Sequence, residues 1–145
     1  GKLKRTDIFL LEPETFMNNS GKSVAPLVKS KKAAEQMVVI HDDLDLPLGK
    51  MKISFNRGSG GHKGVESIKR AVKTEAFVRV RIGVSPATPG GKTKKPHGDK
   101  SINDFIVSSF KISELDELKR VSKKISDGLL VLISEGREKA MSQFN

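Results

Sequence analysis

The chain has 145 residues, no cysteine and a formal net charge of +10, from 27 basic and 17 acidic side chains. This length suits a single domain over residues 1–145 with a sizeable core, and an apolar content of 36% argues against a disordered chain. The lack of cysteine excludes a disulfide framework and a thiolate zinc site. We expect a cytoplasmic protein without a membrane segment. The excess positive charge favours a polyanionic partner such as nucleic acid.

The first predicted elements are a strand and a helix. Residues 7–11 are apolar and predict a strand, and the next helix is expected to take Ser23 as its N-cap, so that Pro26 falls in the first turn. Lysines 29, 31 and 32 then lie near the helix end, where cations suit the helix dipole. Residues 37–40 predict a buried strand, and the alternation over residues 50–55 predicts a strand with one exposed face.

A glycine-rich turn, residues 58–64, precedes a predicted helix with an apolar stripe. Residues 77–84 then alternate as a strand, with Arg79 and Arg81 expected to face outward. The Pro-, Gly- and Lys-rich stretch 85–100, in which His97 is expected to be exposed, predicts a long loop. A short helix over 103–107, a long helix with a capping box at Ser113 and Asp116, and a short helix after Gly136 follow. The order predicts an α/β fold, a mixed sheet with helices on both faces.

Two polar segments are candidate sites. The stretch HDDLD, residues 41–45, allows three readings: Asp42 orients an imidazole, the acids hold a hard cation such as Mg²⁺, or they form a solvated turn. The glycine turn 58–64 fits neither standard phosphate-loop pattern. Its glycines can present amides to an anion or merely supply positive φ. Phe16 could stack on a base and Asn18 could bind a substrate amide, although Phe16 and Met17 also suit a core.

Four segments together resemble one known family. They are LLEPETFMNNSGKSV (10–24), HDDLDLPLG (41–49), GSGGHKG (58–64) and RVRIGV (79–84). In this order and at this spacing they are similar to bacterial-type peptidyl-tRNA hydrolase over nearly the whole chain. The resemblance implies hydrolysis of the ester that joins a peptide to the 3′ ribose of tRNA, with no metal and no cofactor. It also implies peptidyl-tRNA as the partner, and we expect a monomer.

The resemblance assigns roles to individual residues. Asp42 takes the place of the aspartate that orients and stabilises a general-base histidine, while Phe16 and Asn18 match positions that contact the tRNA end. His62 matches a histidine that lines the peptide side of the cleft, and Lys63 stands where the family usually has asparagine. The basic stretch 92–100 and the lysines within 63–73 are expected to meet tRNA phosphate.

The resemblance also implies a general base in a segment before the matched region, after a first strand and a glycine-rich loop. None of His41, His62 or His97 stands in that position. We therefore expect an N-terminally truncated form that lacks the family's first strand, whose own activity is open. Two other functions remain possible on sequence grounds. One is a non-catalytic RNA-binding relative with the same fold, and the other is a metal-dependent phosphoesterase that uses Asp42, Asp43 and Asp45.

Overall fold

The computed structural model describes residues 1–3, 6–88, 93–96 and 98–145. Its central sheet contains β3 (Val38–Pro47), β4 (Met51–Phe55) and β5 (Val78–Ser85), in the order β3-β5-β4. Strand β3 runs parallel to β5, whereas β4 runs antiparallel to it. The predicted mixed α/β sheet is therefore confirmed. The expected exposure of His97 lies outside the described residues.

The predicted strand over residues 7–11 is wrong. The chain instead opens with a small hairpin of β1 (Lys2–Leu3) and β2 (Thr6–Asp7), apart from the central sheet. Its pairing ends with Ile8, whose N–H donates to the carbonyl of Gly1 over 2.8 Å. A strand needs a neighbouring strand for its backbone hydrogen bonds, and the hairpin offers none beyond that point.

The first helical region also differs from the prediction. A 3₁₀ turn (Met17–Asn19) leads into α1 (Ser20–Val24), so the helix begins before Ser23 rather than after it. Helix α1 ends ahead of Pro26, because proline has no N–H to continue the helical bonding. Lysines 31 and 32 belong to a separate helix, α2 (Lys31–Glu35), and do not end the first one. Ser30 caps α2 by accepting a hydrogen bond from the N–H of Ala33.

Four further helices follow the predicted order: α3 (Lys63–Val72), α4 (Asp99–Ile106), α5 (Ile112–Glu135) and α6 (Arg137–Phe144). The predicted capping box at Ser113 and Asp116 is wrong. The carboxylate of Glu114 accepts a hydrogen bond from the backbone N–H of Lys111 over 2.7 Å. That bond satisfies an N–H ahead of the first helical turn and sets the helix start at Ile112.

Helices cover both faces of the sheet. One hydrophobic cluster lies between the sheet and α5 and α6, and a second lies between the sheet and α1 and α3. The first includes Ile53, Val80 and Val121, and the second includes Val24, Val65 and Phe77. In the described portion of the chain, none of the helices combines the length and the apolar character that crossing a bilayer requires.

The outer edge of β4 is partly covered by a side chain. The amide oxygen of Asn145 accepts a hydrogen bond from the N–H of Ile53 over 2.6 Å, and its amide nitrogen donates to the carbonyl of Ile53 over 3.0 Å. Asn145 follows α6, so this helix holds the amide against the strand.

Helices α1 and α3 make an unusually close contact at Gly21. A Cβ atom at this position would lie 2.3 Å from the carbonyl oxygen of Ser67, inside van der Waals contact. The backbone N–H of Gly21 donates to the hydroxyl of Ser67 over 3.0 Å. This contact fixes the 3₁₀ turn Met17–Asn19 beside the start of α3, where Met17 meets Gly64.

Candidate functional site

The acidic cluster lies within a strand. Prediction placed residues 41–45 beyond the end of a buried strand, but β3 continues through them to Pro47. Its register with β5 is regular up to Asp43 and shifts before Pro47. A Cβ atom at Gly83 would lie 1.9 Å from the carbonyl oxygen of Pro47. The irregular pairing of β3 with β5 therefore requires glycine at position 83.

Asp42 and His62 form the centre of the site. The Nε2 atom of His62 lies 2.9 Å from Oδ1 of Asp42. The other ring nitrogen, Nδ1, accepts hydrogen bonds from the N–H groups of Gly64 at 3.1 Å and Val65 at 3.2 Å. Because Nδ1 accepts, the ring proton of neutral His62 must sit on Nε2, which donates to the carboxylate. His62 is thus both the N-cap of α3 and the partner of Asp42.

Asp42 is held in its charged form. The hydrogen bond from His62 lowers the pKa of Asp42, and this effect outweighs the opposing influence of burial. The side chain remains 32% exposed, whereas that of His62 is 14% exposed. A carboxylate has more acceptor positions than the one that His62 occupies. Asp42 can therefore receive a second hydrogen-bond donor from solvent or substrate.

His41 is buried directly behind this pair. Its ring Nδ1 lies 2.6 Å from the backbone carbonyl of Asp42 and donates to it. The rings of His41 and His62 meet edge to face, with centroids 4.7 Å apart and planes at 67°. Burial lowers the pKa of His41 to about 4, and the neighbouring His62 and Arg79 add to this effect. His41 is consequently a neutral imidazole near pH 7.

The prediction that Arg79 faces outward is wrong. Arg79 is only 4% exposed, and its Nη1 lies 3.5 Å from Nε2 of His41. The error has a simple cause: α1 and α3 cover the face of the sheet that the alternating pattern assigned to solvent. Burial lowers the pKa of Arg79, while the carboxylates of Asp43 and Glu75 oppose the shift.

The other two carboxylates of the cluster bind different cations. Asp43 accepts a hydrogen bond from Nε of Arg81 over 2.6 Å, and Asp45 accepts one from Nζ of Lys95 over 2.7 Å. Burial alone would raise the pKa of Asp43, but the hydrogen bond from Arg81 holds it below the usual value. Across the described ranges, the side chains of His, Asp and Glu do not come together in threes as a metal site requires.

The remaining predicted site residues lie on the exposed rim. Phe16 is 86% exposed, and Asn18 lies on the 3₁₀ turn that packs beside α3. Lys63 is exposed at the first position of α3, directly after His62. An open cleft beside the turn is lined by Glu14, Thr15, Phe16, Asn19 and Lys22. The structure thus joins Asp42 to His62 by a hydrogen bond and sets the other residues around the start of α3.

The burial of Arg79 and His41 was not predicted from the sequence. The signal available for Arg79 was its place on a strand between two helical layers, where both faces are covered. For His41 the signal was its place two residues after Val39, on the same face of β3, because Val39 packs against the second cluster whereas Ile40 between them is 48% exposed.

The fold and the site define an α/β protein in which a carboxylate on a strand holds an imidazole at a helix N-terminus, a pairing typical of acid–base hydrolases. Comparison with known proteins narrows this class. The sequence model of the family described as peptidyl-tRNA hydrolase matches residues 1–145. The chain is 39% identical over 139 residues to a peptidyl-tRNA hydrolase of Citrifermentans bemidjiense, covering 95% of this chain and 69% of the relative. It is 36% identical over 147 residues to that of Thermodesulfovibrio yellowstonii, covering 99% of this chain and 73% of the relative.

Solved structures that superpose on this chain are peptidyl-tRNA hydrolases as well. A crystal structure of a complex of peptidyl-tRNA hydrolase with N-propanol superposes with a TM-score of 0.80 at 28% identity, covering 100% of this chain and 69% of that one. The peptidyl-tRNA hydrolase of Acinetobacter baumannii gives a TM-score of 0.73 at 27% identity, covering 92% of this chain and 63% of that one. The chain belongs to the peptidyl-tRNA hydrolase family, and the hydrolase function predicted from the sequence is confirmed at that level.

Proposed function

We propose that this site hydrolyses the ester bond between peptide and tRNA in peptidyl-tRNA, and that Asp42 orients and stabilises the general-base histidine. The observation that supports this role is the hydrogen bond of 2.9 Å between Asp42 and His62, which already joins this carboxylate to an imidazole and lowers the pKa of Asp42. Its exposed side is open to a second imidazole N–H. An oriented base takes a proton from water while the water oxygen attacks the ester carbonyl. The 3′ oxygen of the ribose then leaves and receives a proton.

His62 itself is not the base in this arrangement. Its Nδ1 lone pair is engaged by two backbone N–H groups, and its Nε2 carries the proton that Asp42 accepts. A general base needs a free lone pair within reach of the water. We therefore assign the base to another histidine held by Asp42, and assign His62 to the peptide side of the cleft.

Substrate contacts surround this centre. The exposed ring of Phe16 and the amide of Asn18 are proposed to contact the tRNA end, with Lys63 beside them at the start of α3. Basic residues of the 92–100 stretch and the lysines of residues 63–73 are proposed to meet phosphates, which agrees with the net charge of +10. Lys95 forms an ion pair with Asp45, whereas Lys63 and Lys73 are exposed at the two ends of α3, so these two lysines are the better candidates.

The test is Asp42→Asn in the longest form of the protein that its gene encodes, with an N-blocked aminoacyl-tRNA as substrate. The amide cannot stabilise an imidazolium, so kcat should fall by about 10²–10⁴-fold while tRNA affinity stays nearly the same. Asp45→Asn is the matched control, because Asp45 is on the same strand but bonds to Lys95. Equal kcat for the two variants would remove Asp42 from the mechanism.

Three further properties belong to the same proposal: a single domain over residues 1–145, a monomer, and a cytoplasmic location. The two hydrophobic clusters on opposite faces of one sheet support the single domain. Sedimentation tests the monomer, and fractionation of cells tests the location. Tight binding of tRNA without turnover by the unaltered protein would instead indicate a non-catalytic RNA-binding relative.

A further inference from the structure

Two buried polar side chains, His41 and Arg79, have no part in the chemistry proposed above. His41 is 9% exposed and Arg79 is 4% exposed, and both lie on the side of the sheet that faces α1 and α3. Burying a guanidinium and an imidazole disfavours folding unless their polar atoms find partners. The partners of these buried polar atoms therefore indicate which part of the structure the two side chains stabilise.

The contacts of His41 converge on the Asp42–His62 pair. Its Nδ1–H holds the backbone carbonyl of Asp42 at 2.6 Å, and its ring packs edge to face against the ring of His62. The remaining nitrogen, Nε2, has the lone pair and faces Nη1 of Arg79 at 3.5 Å. Each side of the imidazole thus meets a different element: β3, the start of α3, and β5.

The ring of His62 needs such support. Rotation of an imidazole about χ2 by about 180° is a soft motion with two comparable minima. This flip would turn carbon atoms toward Asp42 and toward the N–H groups of Gly64 and Val65. The hydrogen bonds of 2.9, 3.1 and 3.2 Å all require the observed ring orientation. A buried ring at 4.7 Å and 67° restricts the space through which the flip occurs.

We propose that His41 and Arg79 are positioning residues for peptidyl-tRNA hydrolysis. His41 holds the Asp42 backbone and the His62 ring in one arrangement, and Arg79 fixes the tautomer of His41 by directing an N–H group at Nε2. This inference rests on the proposed function of Asp42. The positioning itself is a statement about ring orientation, which can be measured without substrate.

The experiment compares His41→Leu, which removes both polar contacts at similar volume, with His41→Asn, which keeps a donor near the position of Nδ1 but removes the ring. Nitrogen-15 NMR of the ring nitrogens of His62 reports its tautomer. In the unaltered chain the Nε2–H tautomer should be the only one, and in both variants the Nδ1–H tautomer should appear. Val80→Ala is the matched control, because Val80 is 1% exposed on β5 within the opposite cluster. It should lower stability and leave the tautomer unchanged.

Activity supplies the second measurement, in the longest encoded form. The two His41 variants should lower kcat on N-blocked aminoacyl-tRNA by on the order of 10–10²-fold, with KM nearly unchanged. Arg79→Lys keeps the charge but not the planar donor, and should change kcat in the same direction.

A single Nε2–H tautomer of His62 in the folded His41 variants would overturn the proposal. If His41→Leu does not fold, His41→Asn decides the question. Absence of turnover by the unaltered protein would count against the proposed function and leave the NMR result decisive for positioning.

Discussion

The two faces of the central sheet differ in chemistry although the same strands form both. The face toward α5 and α6 is lined by aliphatic side chains such as Ile53 and Val80. The face toward α1 and α3 carries His41 and Arg79 in addition to its apolar cluster. One face therefore contributes mainly apolar burial, while the other also buries polar side chains next to the candidate site, where each polar group needs a partner. Mutations on the two faces should therefore have separable effects.

The largest expected effect on stability comes from the apolar face. Ile53→Ala removes a side chain that is 1% exposed and leaves a cavity. It should lower the free energy of unfolding by about 2–5 kcal/mol, as measured by urea denaturation, while kcat per folded molecule stays unchanged. Ile112→Ala is the control, because Ile112 is 83% exposed, and it should change stability by less than about 0.5 kcal/mol. A large fall in kcat for folded Ile53→Ala would show that the two faces are coupled.

The polar face should make stability depend on pH. His41 has a pKa of about 4 in the folded protein, against an ordinary value of 6.5. Between these values the unfolded chain binds more protons, so the free energy of unfolding should fall as the pH is lowered from 6.5 to 4. The loss should reach about 3 kcal/mol, at roughly 1.4 kcal/mol per pH unit. The titratable and charged side chains that act on the pKa of His41 are those of His62, Arg79 and Asp43.

Urea midpoints at several pH values would measure this slope, and His41→Leu should flatten it. Asp42 and Asp43 have lowered pKa values, so their contribution is lost only as the pH falls below their ordinary value of 3.8. These carboxylates therefore change the free energy of unfolding at a lower pH than His41 does. If the free energy of unfolding of His41→Leu had the same slope against pH as that of the unaltered chain, the pH dependence would belong to other groups.

A smaller effect is expected where α1 meets α3. Gly21→Ala places a Cβ atom 2.3 Å from the carbonyl oxygen of Ser67, so the helices must separate. We expect a loss of about 1–3 kcal/mol in the free energy of unfolding. Because the Met17–Asn19 turn leads directly into α1 and lies beside the site, KM for N-blocked aminoacyl-tRNA should also rise. In Gly58→Ala, the control, the new Cβ meets nothing within 4 Å, and stability should be unchanged or slightly higher. Equal thermal melts for the two variants would contradict the close contact.

Much of the fold was predictable because its signals are local. The periodicity of α5 and the alternation in β4 and β5 come from burial on a single stripe or face, which sequence records directly. The strand over residues 7–11 and the capping box at Ser113 were wrong for a different reason. Pairing partners and competing caps, such as Glu114 at the start of α5, are set by tertiary structure.

The site was predictable in part. The order and spacing of its motifs indicated the family, and they singled out Asp42 and His62. The hydrogen bond between these two residues was not predicted, because it depends on how β3 and the start of α3 approach each other. The burial of Arg79 was missed for the same reason. An alternating strand cannot show whether its second face meets water or another helix.

The contact between Asn145 and β4 has a consequence for behaviour at high concentration. An open strand edge offers unpaired N–H and C=O groups to other molecules, and edge-to-edge pairing leads to aggregation. The Asn145 amide engages both backbone groups of Ile53 and thus imitates one rung of an additional strand. A single side chain thereby makes this rung of β4 unavailable to a second copy of the chain. The protection of this strand edge thus comes from a residue that lies outside both hydrophobic clusters and the site.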